Sequence, residues 1–414
     1  MAGTETVTCC RSCGSAGLEP VLDLGRVPLA NSLLSAEEVE AGDEERFPLA
    51  LFFCPACSLV QIGETVIPDR LFKHYLYASS FSDTMVRHAR TLVERLVEER
   101  RLSEESLVVE IASNDGYLLQ FYKAAAVPVQ GIEPAENIAK IAERDKGIPT
   151  IVEFFGSELA GRLAAEGRQA DVIHAHNVFA HVPRPADFVE GLRRLLKPNG
   201  VVVIEAPYVG ELIEKLEFDT IYHEHFSYFG LSAIRHLAER HGLQIVDVEL
   251  VPIHGGSLRV FLAHQGAVEP SERVAALLAK EAESGMTGLD YYRAFSSRVA
   301  DLQRALLELL RQLKAEGGRL AAYGASAKGS TLMNAFGIDA ELLDFVVDRS
   351  TLKQGLFTPG NHLPILPPEA LLEQQPSHVL LLTWNFAEEI LHQQEAYRAA
   401  GGRFIVPLPR VEIV

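Results

Sequence analysis

Residues 221–228 read IYHEHFSY, so that Tyr222, His223, Glu224 and His225 follow one another directly. A plain surface loop seldom carries so many groups able to donate, accept or remove a proton. The two histidines lie two positions apart and cannot share one helix face, so this is not the H-E-x-x-H zinc signature and no catalytic metal is expected here. His225 is the candidate general base. Tyr222 and His181, the latter from NVFAHV further upstream, are candidates to hydrogen-bond a substrate oxygen or orient the substrate, and Glu224 to fix the tautomer of a histidine. The alternative for the loop histidines is structural hydrogen bonding, and for His181 simple closure of its loop.

A second constellation is the run VVEIASNDG at 108–116, which reads as a strand, a polar turn ending in glycine and the start of a helix. That is where a Rossmann-type sheet holds its cofactor. The turn is not G-x-G-x-x-G, because only Gly116 of the usual glycines is present. A wider loop of small residues suits the amino acid part of S-adenosylmethionine (SAM), which has no pyrophosphate needing close backbone approach. Glu110, Ser113, Asn114 and Gly116 are its candidate cofactor residues. The next strand ends in GIEP, placing Glu133 23 residues beyond Glu110 with Pro134 next to it, and a carboxylate there can accept both ribose hydroxyls. Asn177 and Phe179, after the strand 171–176, complete the set. Alone, Glu133 could be a solvated strand-end carboxylate. Taken in order with the LKPNG turn at 196–200, these features point to SAM rather than NAD.

Cys10-x2-Cys13 and Cys54-x2-Cys57 supply four thiolates in two close pairs, the arrangement of a tetrahedral structural Zn2+. Gly14 and Pro55 suit tight knuckles. Four thiolates leave no open coordination position, so a closed structural site is expected. Cys9 is a bystander, and free buried cysteines or a disulfide are the alternative. Near the other end, YGASAKGS at 323–330 is a strand, a small-residue loop and a helix start, which presents backbone N–H groups and one lysine to an anion. Gly324, Ser326 and Lys328 are the candidate diphosphate contacts, and His254 beside Gly255 and Gly256 a candidate pocket wall. Asp348 imitates the ribose carboxylate of a dinucleotide fold, so a second cofactor, NAD, is the rival reading of this unit and a fold relic without ligand the other.

These residues must be held by a chain of 414 residues that is 48% hydrophobic, enough for two or three cores. A net charge of -18 argues against a general nucleic-acid binder. No run is long and apolar enough for a membrane span, the amino terminus has no secretory pattern, and all 5 cysteines lie within the first 57 residues, so a cytoplasmic protein is expected. Short apolar runs at 107–111, 129–133, 171–176 and 201–205 alternate with helical stretches such as 137–146 and 187–196. That is a doubly wound parallel sheet. Runs at 244–251 and 258–264 with no helix between them read as an antiparallel pair closing its edge. Helices fill 268–315. A second alternation follows, with strands at 319–323, 345–348, 378–383 and 403–407. The expected architecture is α/β, with a zinc-binding module at 1–75, a class I SAM methyltransferase Rossmann-like sheet at 76–265 and a second Rossmann-like domain at 266–414.

Together CRSCG, VLDLGRVPLANSLL, CPACSLVQ, YASSFSDTMVRHA, EIASNDGYLL, GIEPAENIA, NVFAHV, IEAPY, YHEHFSY, HGGSLRV, AYGASAKGSTLMN and VVDRSTLKQG resemble the sugar 3-C-methyltransferases of deoxysugar and antibiotic biosynthesis. The resemblance runs over nearly the whole chain and is strongest to the tetronitrose branch. It implies a substrate, a dTDP-linked 3-amino-2,3,6-trideoxy-4-keto-hexose, covered by the C-terminal domain, with SAM in the middle domain and zinc in the first. A C3 hydrogen beside a C4 ketone would be removed by His225 and the enolate methylated. No nucleic acid or membrane partner is implied, and a monomer is expected. An NAD-linked nucleotide-sugar oxidoreductase and a non-catalytic zinc-ribbon scaffold are the competing function classes.

Overall fold

The computed structural model describes residues 4–68, 71, 79–253 and 255–414. His254 and the expected boundary between residues 75 and 76 lie outside the described residues.

The first alternation of apolar runs folds into a seven-stranded sheet. Its spatial order is Leu243–Val251, Ser257–His264, Leu196–Pro207, Ala170–His176, Val108–Ile111, Val129–Ile132 and Thr150–Ile151. Only Ser257–His264 runs against its neighbours, and it slots inside the strand that precedes it in sequence. This is the class I methyltransferase arrangement expected from the sequence. Connections leave Val108–Ile111 and Ala170–His176 in opposite directions, so a crevice opens beyond their carboxyl ends. The helix Asp83–Glu99 starts at Ser82, whose side chain accepts from the Met85 N–H, and buries Met85, Ala89, Leu92, Val93 and Leu96. His88 on the same helix sets its Nε2 2.9 Å from the Glu205 carboxylate.

Phe47–Phe53 alternates buried and half-buried residues, with Phe47, Leu49, Leu51 and Phe53 inward, as a one-sided strand must. It joins Glu19–Val27 and Val60–Ile62 in a four-stranded sheet whose last member, Ser227–Tyr228, comes from the catalytic loop region. The cysteine module is therefore continuous with the site rather than tethered beside it. The second alternation forms a six-stranded sheet in the order Ile365–Leu366, Val346–Val347, Leu320–Tyr323, His378–Leu381, Arg403–Val406 and Glu412–Ile413, parallel except for the last. Its two edge strands are only two residues long and left no periodic signal. The 27-residue helix Leu289–Ala315 precedes this sheet, as expected. The N-terminal module also grips it, since Leu34 bridges Phe357 and Glu44 accepts from the Gly360 N–H at 2.8 Å.

Candidate active site

The turn after Val108–Ile111 makes its bend with Ala112 at φ 52 and Asn114 at φ 51, where L side chains are strained, and Gly116 at φ 76. Glu133 reaches back across this turn. Its two oxygens accept the N–H groups of Asn114 at 3.0 Å and of Ala135 at 2.9 Å, which locks the carboxylate at the crevice although burial pushes its pKa up. Ala112, Asn114, Glu133, Pro134 and Asn177 all line one cavity of about 870 Å3. Four other expected cofactor residues do not line it. Glu110 is fully buried below the turn, raised well above the ordinary carboxylate range by desolvation, and Ser113 is equally buried with Gly116 behind the lining. Phe179 stacks on Phe229 at 4.2 Å between ring centroids and belongs to the packed floor.

The same cavity takes in His181, Tyr222, Glu224 and His225. His225 Nδ1 lies 2.8 Å from the Thr220 carbonyl and His181 Nδ1 lies 2.7 Å from the Glu224 carbonyl. A carbonyl can only accept, so each imidazole carries a proton on Nδ1, and the neutral form of each ring has its lone pair on Nε2. The His225 ring has the Tyr222 ring 4.2 Å and the His181 ring 4.7 Å away. Burial brings His181 down to about 4, so it is neutral near pH 7. Two expectations change. Neutral His181 in this tautomer cannot donate from Nε2 to a substrate oxygen. Nor does the Glu224 carboxylate bond a histidine among the described residues: it accepts from Asn31 Nδ2 at 2.6 Å, while the backbone carbonyl of the same residue accepts from His181. His223 points out of the cavity, donating from Nε2 to the Pro48 carbonyl at 3.1 Å and stitching the loop to the N-terminal sheet.

The C-terminal sheet contributes Ser326, Ala327 and Lys328 to the same wall. Ser326 caps the helix Ala327–Phe336, accepting from the Gly329 N–H at 3.1 Å. Gly324 does not line the cavity; at φ 98 it makes the turn, and a Cβ there would meet Thr383. Lys328 Nζ sits 3.7 Å from Glu217 and 5.0 Å from the Trp384 ring centroid. Asp348 is engaged by its own loops, accepting from the Ala325 N–H and the Ser350 N–H, both at 2.8 Å. Unlike Glu133, Asp348 does not line the cavity. Sequence reasoning missed Asn31, Thr220, Glu217 and Trp384, which enter only through the fold.

The four Sγ atoms of Cys10, Cys13, Cys54 and Cys57 lie within 4.8 Å of one another, and Cys9 stands exposed outside the cluster. Cys10 and Cys57 are 3.5 Å apart, as are Cys13 and Cys54, distances that a tetrahedral zinc at about 2.3 Å from each sulfur would bridge. Hydrogen bonding from Cys57 pulls Cys10 down to about 5, while burial pushes Cys54 up to about 11. The knuckles turn as expected, with Gly14 at φ 77 closing the first and Pro55 inside the second, whose last residue, Ser58, stands at φ 60 and donates from its N–H to the Cys54 carbonyl at 2.8 Å.

Sequence models of a zinc-binding domain, a methyltransferase domain and a C-methyltransferase C-terminal domain match residues 10–72, 83–248 and 252–409. The C-methyltransferase NovU of Streptomyces niveus is 39% identical over 408 residues, covering 98% of this chain and 96% of that protein. The chain belongs to the C-methyltransferase family. It uses SAM, and its N-terminal module provides the four-cysteine zinc site. A ubiquinone biosynthesis O-methyltransferase of Burkholderia thailandensis shares 25% identity over 38% of this C-methyltransferase and 72% of its own length. Magnesium protoporphyrin IX methyltransferase of Synechocystis with bound SAH overlays 48% of this chain and 93% of its own at 14% identity and a TM-score of 0.36. No helix among the described residues is long and apolar enough to cross a membrane.

Proposed function

We propose that this SAM-dependent C-methyltransferase acts at C3 of a dTDP-linked 3-amino-2,3,6-trideoxy-4-keto-hexose through an enolate. The observation that carries the reading is that one cavity of about 870 Å3 is walled jointly by the Ala112–Glu133 crevice, by Tyr222 and His225, and by Ser326 and Lys328. A nucleotide sugar needs such a site, with an anion seat at one end and a base and an oxygen donor at the other.

In this reading Glu133 accepts from the cofactor's ribose hydroxyls, and Asn114, Pro134 and Asn177 complete that wall. Bound SAM supplies an electrophilic methyl group. His225 takes the C3 proton on Nε2, which its bond to Thr220 keeps as the lone-pair nitrogen. The ketone oxygen gains charge as the proton leaves, and the phenol of Tyr222 donates to it. His181 accepts from a substrate hydroxyl or amine and orients the sugar. The N-terminus of Ala327–Phe336 and Lys328 receive the diphosphate, with Lys328 leaving Glu217 to do so.

The deciding experiment is incubation with methyl-labelled SAM and a panel of dTDP 4-keto sugars with amino or hydroxyl at C3, followed by NMR location of the label. Label on C3 of the amino sugar is expected. Label on an oxygen or nitrogen, or transfer only to sugars lacking the C4 ketone, would overturn the reading.

A further inference from the structure

The strand Ala170–His176 ends in two histidines that no step above uses. Two apart on a strand, His174 and His176 share a face, and their rings stand 5.0 Å apart. Tyr122 is fully buried with its hydroxyl 2.9 Å from His174 Nε2, and His174 Nδ1 lies 3.0 Å from His176 Nε2. The polarity of this chain follows from its first member. A buried phenol has one proton, and leaving it without an acceptor forfeits the full desolvation of that group. Glu110, the acidic group felt by Tyr122, makes no hydrogen bond through either oxygen, so the phenol proton goes to His174 Nε2. His174 must then be protonated at Nδ1 and donate to His176 Nε2. His176 is left with its own proton on Nδ1, at the wall of the cavity.

We propose that the Tyr122–His174 pair locks His176 in its Nδ1–H tautomer, and that His176 presents this N–H to the α-carboxylate of SAM. Position supplies the argument for that end of the cofactor. Val108–Ile111 lies between the strand that leads to Glu133 and the strand that ends in His176. On the proposed ribose seat at Glu133, the cofactor laid across the turn brings its amino acid part toward His176. Of the groups there, ammonium, sulfonium and carboxylate, only the carboxylate accepts. A cluster of charges sits beside the ring, with Arg259 Nε 3.0 Å and His88 Nε2 2.9 Å from Glu205. Burial nonetheless brings His176 down to about 4, so the ring is neutral and does not repel the adjacent sulfonium.

The test uses the whole protein labelled with 15N-histidine and two ligands, SAH and 5'-methylthioadenosine, which lacks the amino acid part. NMR of the ligand-free protein should show His174 and His176 as neutral Nδ1–H imidazoles, and Tyr122→Phe should shift them toward the Nε2–H form. By calorimetry His176→Leu should weaken SAH about tenfold or more, as loss of a hydrogen bond to a charged group does, and leave methylthioadenosine unchanged. Unchanged methylthioadenosine binding also shows that the variant is folded. Glu133→Gln separates the two ideas, since it should weaken both ligands. An Nε2–H His176 in the unmodified protein, equal loss of both ligands in His176→Leu, or undiminished SAH binding would each overturn the proposal.

Discussion

His181 and His225 sit side by side, line the same cavity and bond through the same ring nitrogen, each donating from Nδ1 to a backbone carbonyl. On the proposed chemistry His225→Asn should reduce turnover by about 10^2 to 10^4 while SAM affinity, measured calorimetrically, stays within twofold. Turnover near that of the unmodified enzyme would remove His225 as the base. The Glu224 carboxylate is a different matter. It is buried, raised by desolvation, and bonded to Asn31, a residue 193 positions away. Asn31→Ala should therefore lower stability by about 1–3 kcal/mol in urea unfolding, because a buried acceptor loses its donor. That the loop 221–228 carries chemistry is readable from residue types; which atom each side chain bonds is not, because carbonyls and asparagines have no positional code.

At the scale of elements, the turn after Val108–Ile111 holds two non-glycine residues at positive φ, Ala112 and Asn114. Asn tolerates that conformation better than Ala does. Ala112→Gly should raise the unfolding free energy by about 0.5–1 kcal/mol, the relief of strain exceeding the extra entropy of glycine in the unfolded chain. A loss of stability would show that Ala112 is unstrained. Long apolar periods were legible, and the runs read at 107–111, 129–133 and 171–176 lie on strands within a residue or so. The two-residue edge strands Ile365–Leu366 and Glu412–Ile413 were hidden, since their pairing depends on the neighbouring strand rather than on their own pattern. Phe179 was misassigned to the cavity wall because an aromatic after a strand can face either side, and packing on Phe229 chose the core.

The N-terminal module bonds the rest of the molecule at the catalytic loop through Asn31 and Pro48, and at the C-terminal sheet through Glu44 and Leu34. Zinc removal by a chelator, or Cys54→Ser, should thus lower the melting temperature by several degrees or more and reduce turnover, although no cysteine lines the cavity. Scanning calorimetry and a parallel assay check this; unchanged turnover in the metal-free protein would uncouple the module from the site. The pH dependence follows from His176 and His181, both held down to about 4 by burial, with His174 also held well below the ordinary histidine range by burial. Their unfolded forms bind protons near pH 6.5 while the folded forms do not. Their contribution is therefore full above about pH 6.5 and is lost as pH falls from there toward 4. His181→Asn should flatten the fall in melting temperature across that window, and an unaltered slope would mean that His181 titrates normally.

Residue type and spacing alone determined the cysteine pairs, the order of strands and helices, and the proton-handling loop, because each is encoded within a few neighbouring positions. Tertiary structure alone decided that the cofactor turn, the loop 221–228 and Lys328 border one cavity, that His181 donates from Nδ1 to the Glu224 carbonyl, that Asp348 lies outside that cavity, and that Lys328 rests against Glu217. Those outcomes depend on contacts between segments far apart in the chain, set by the packing of two sheets and a zinc module around one void, and no local pattern carries that information.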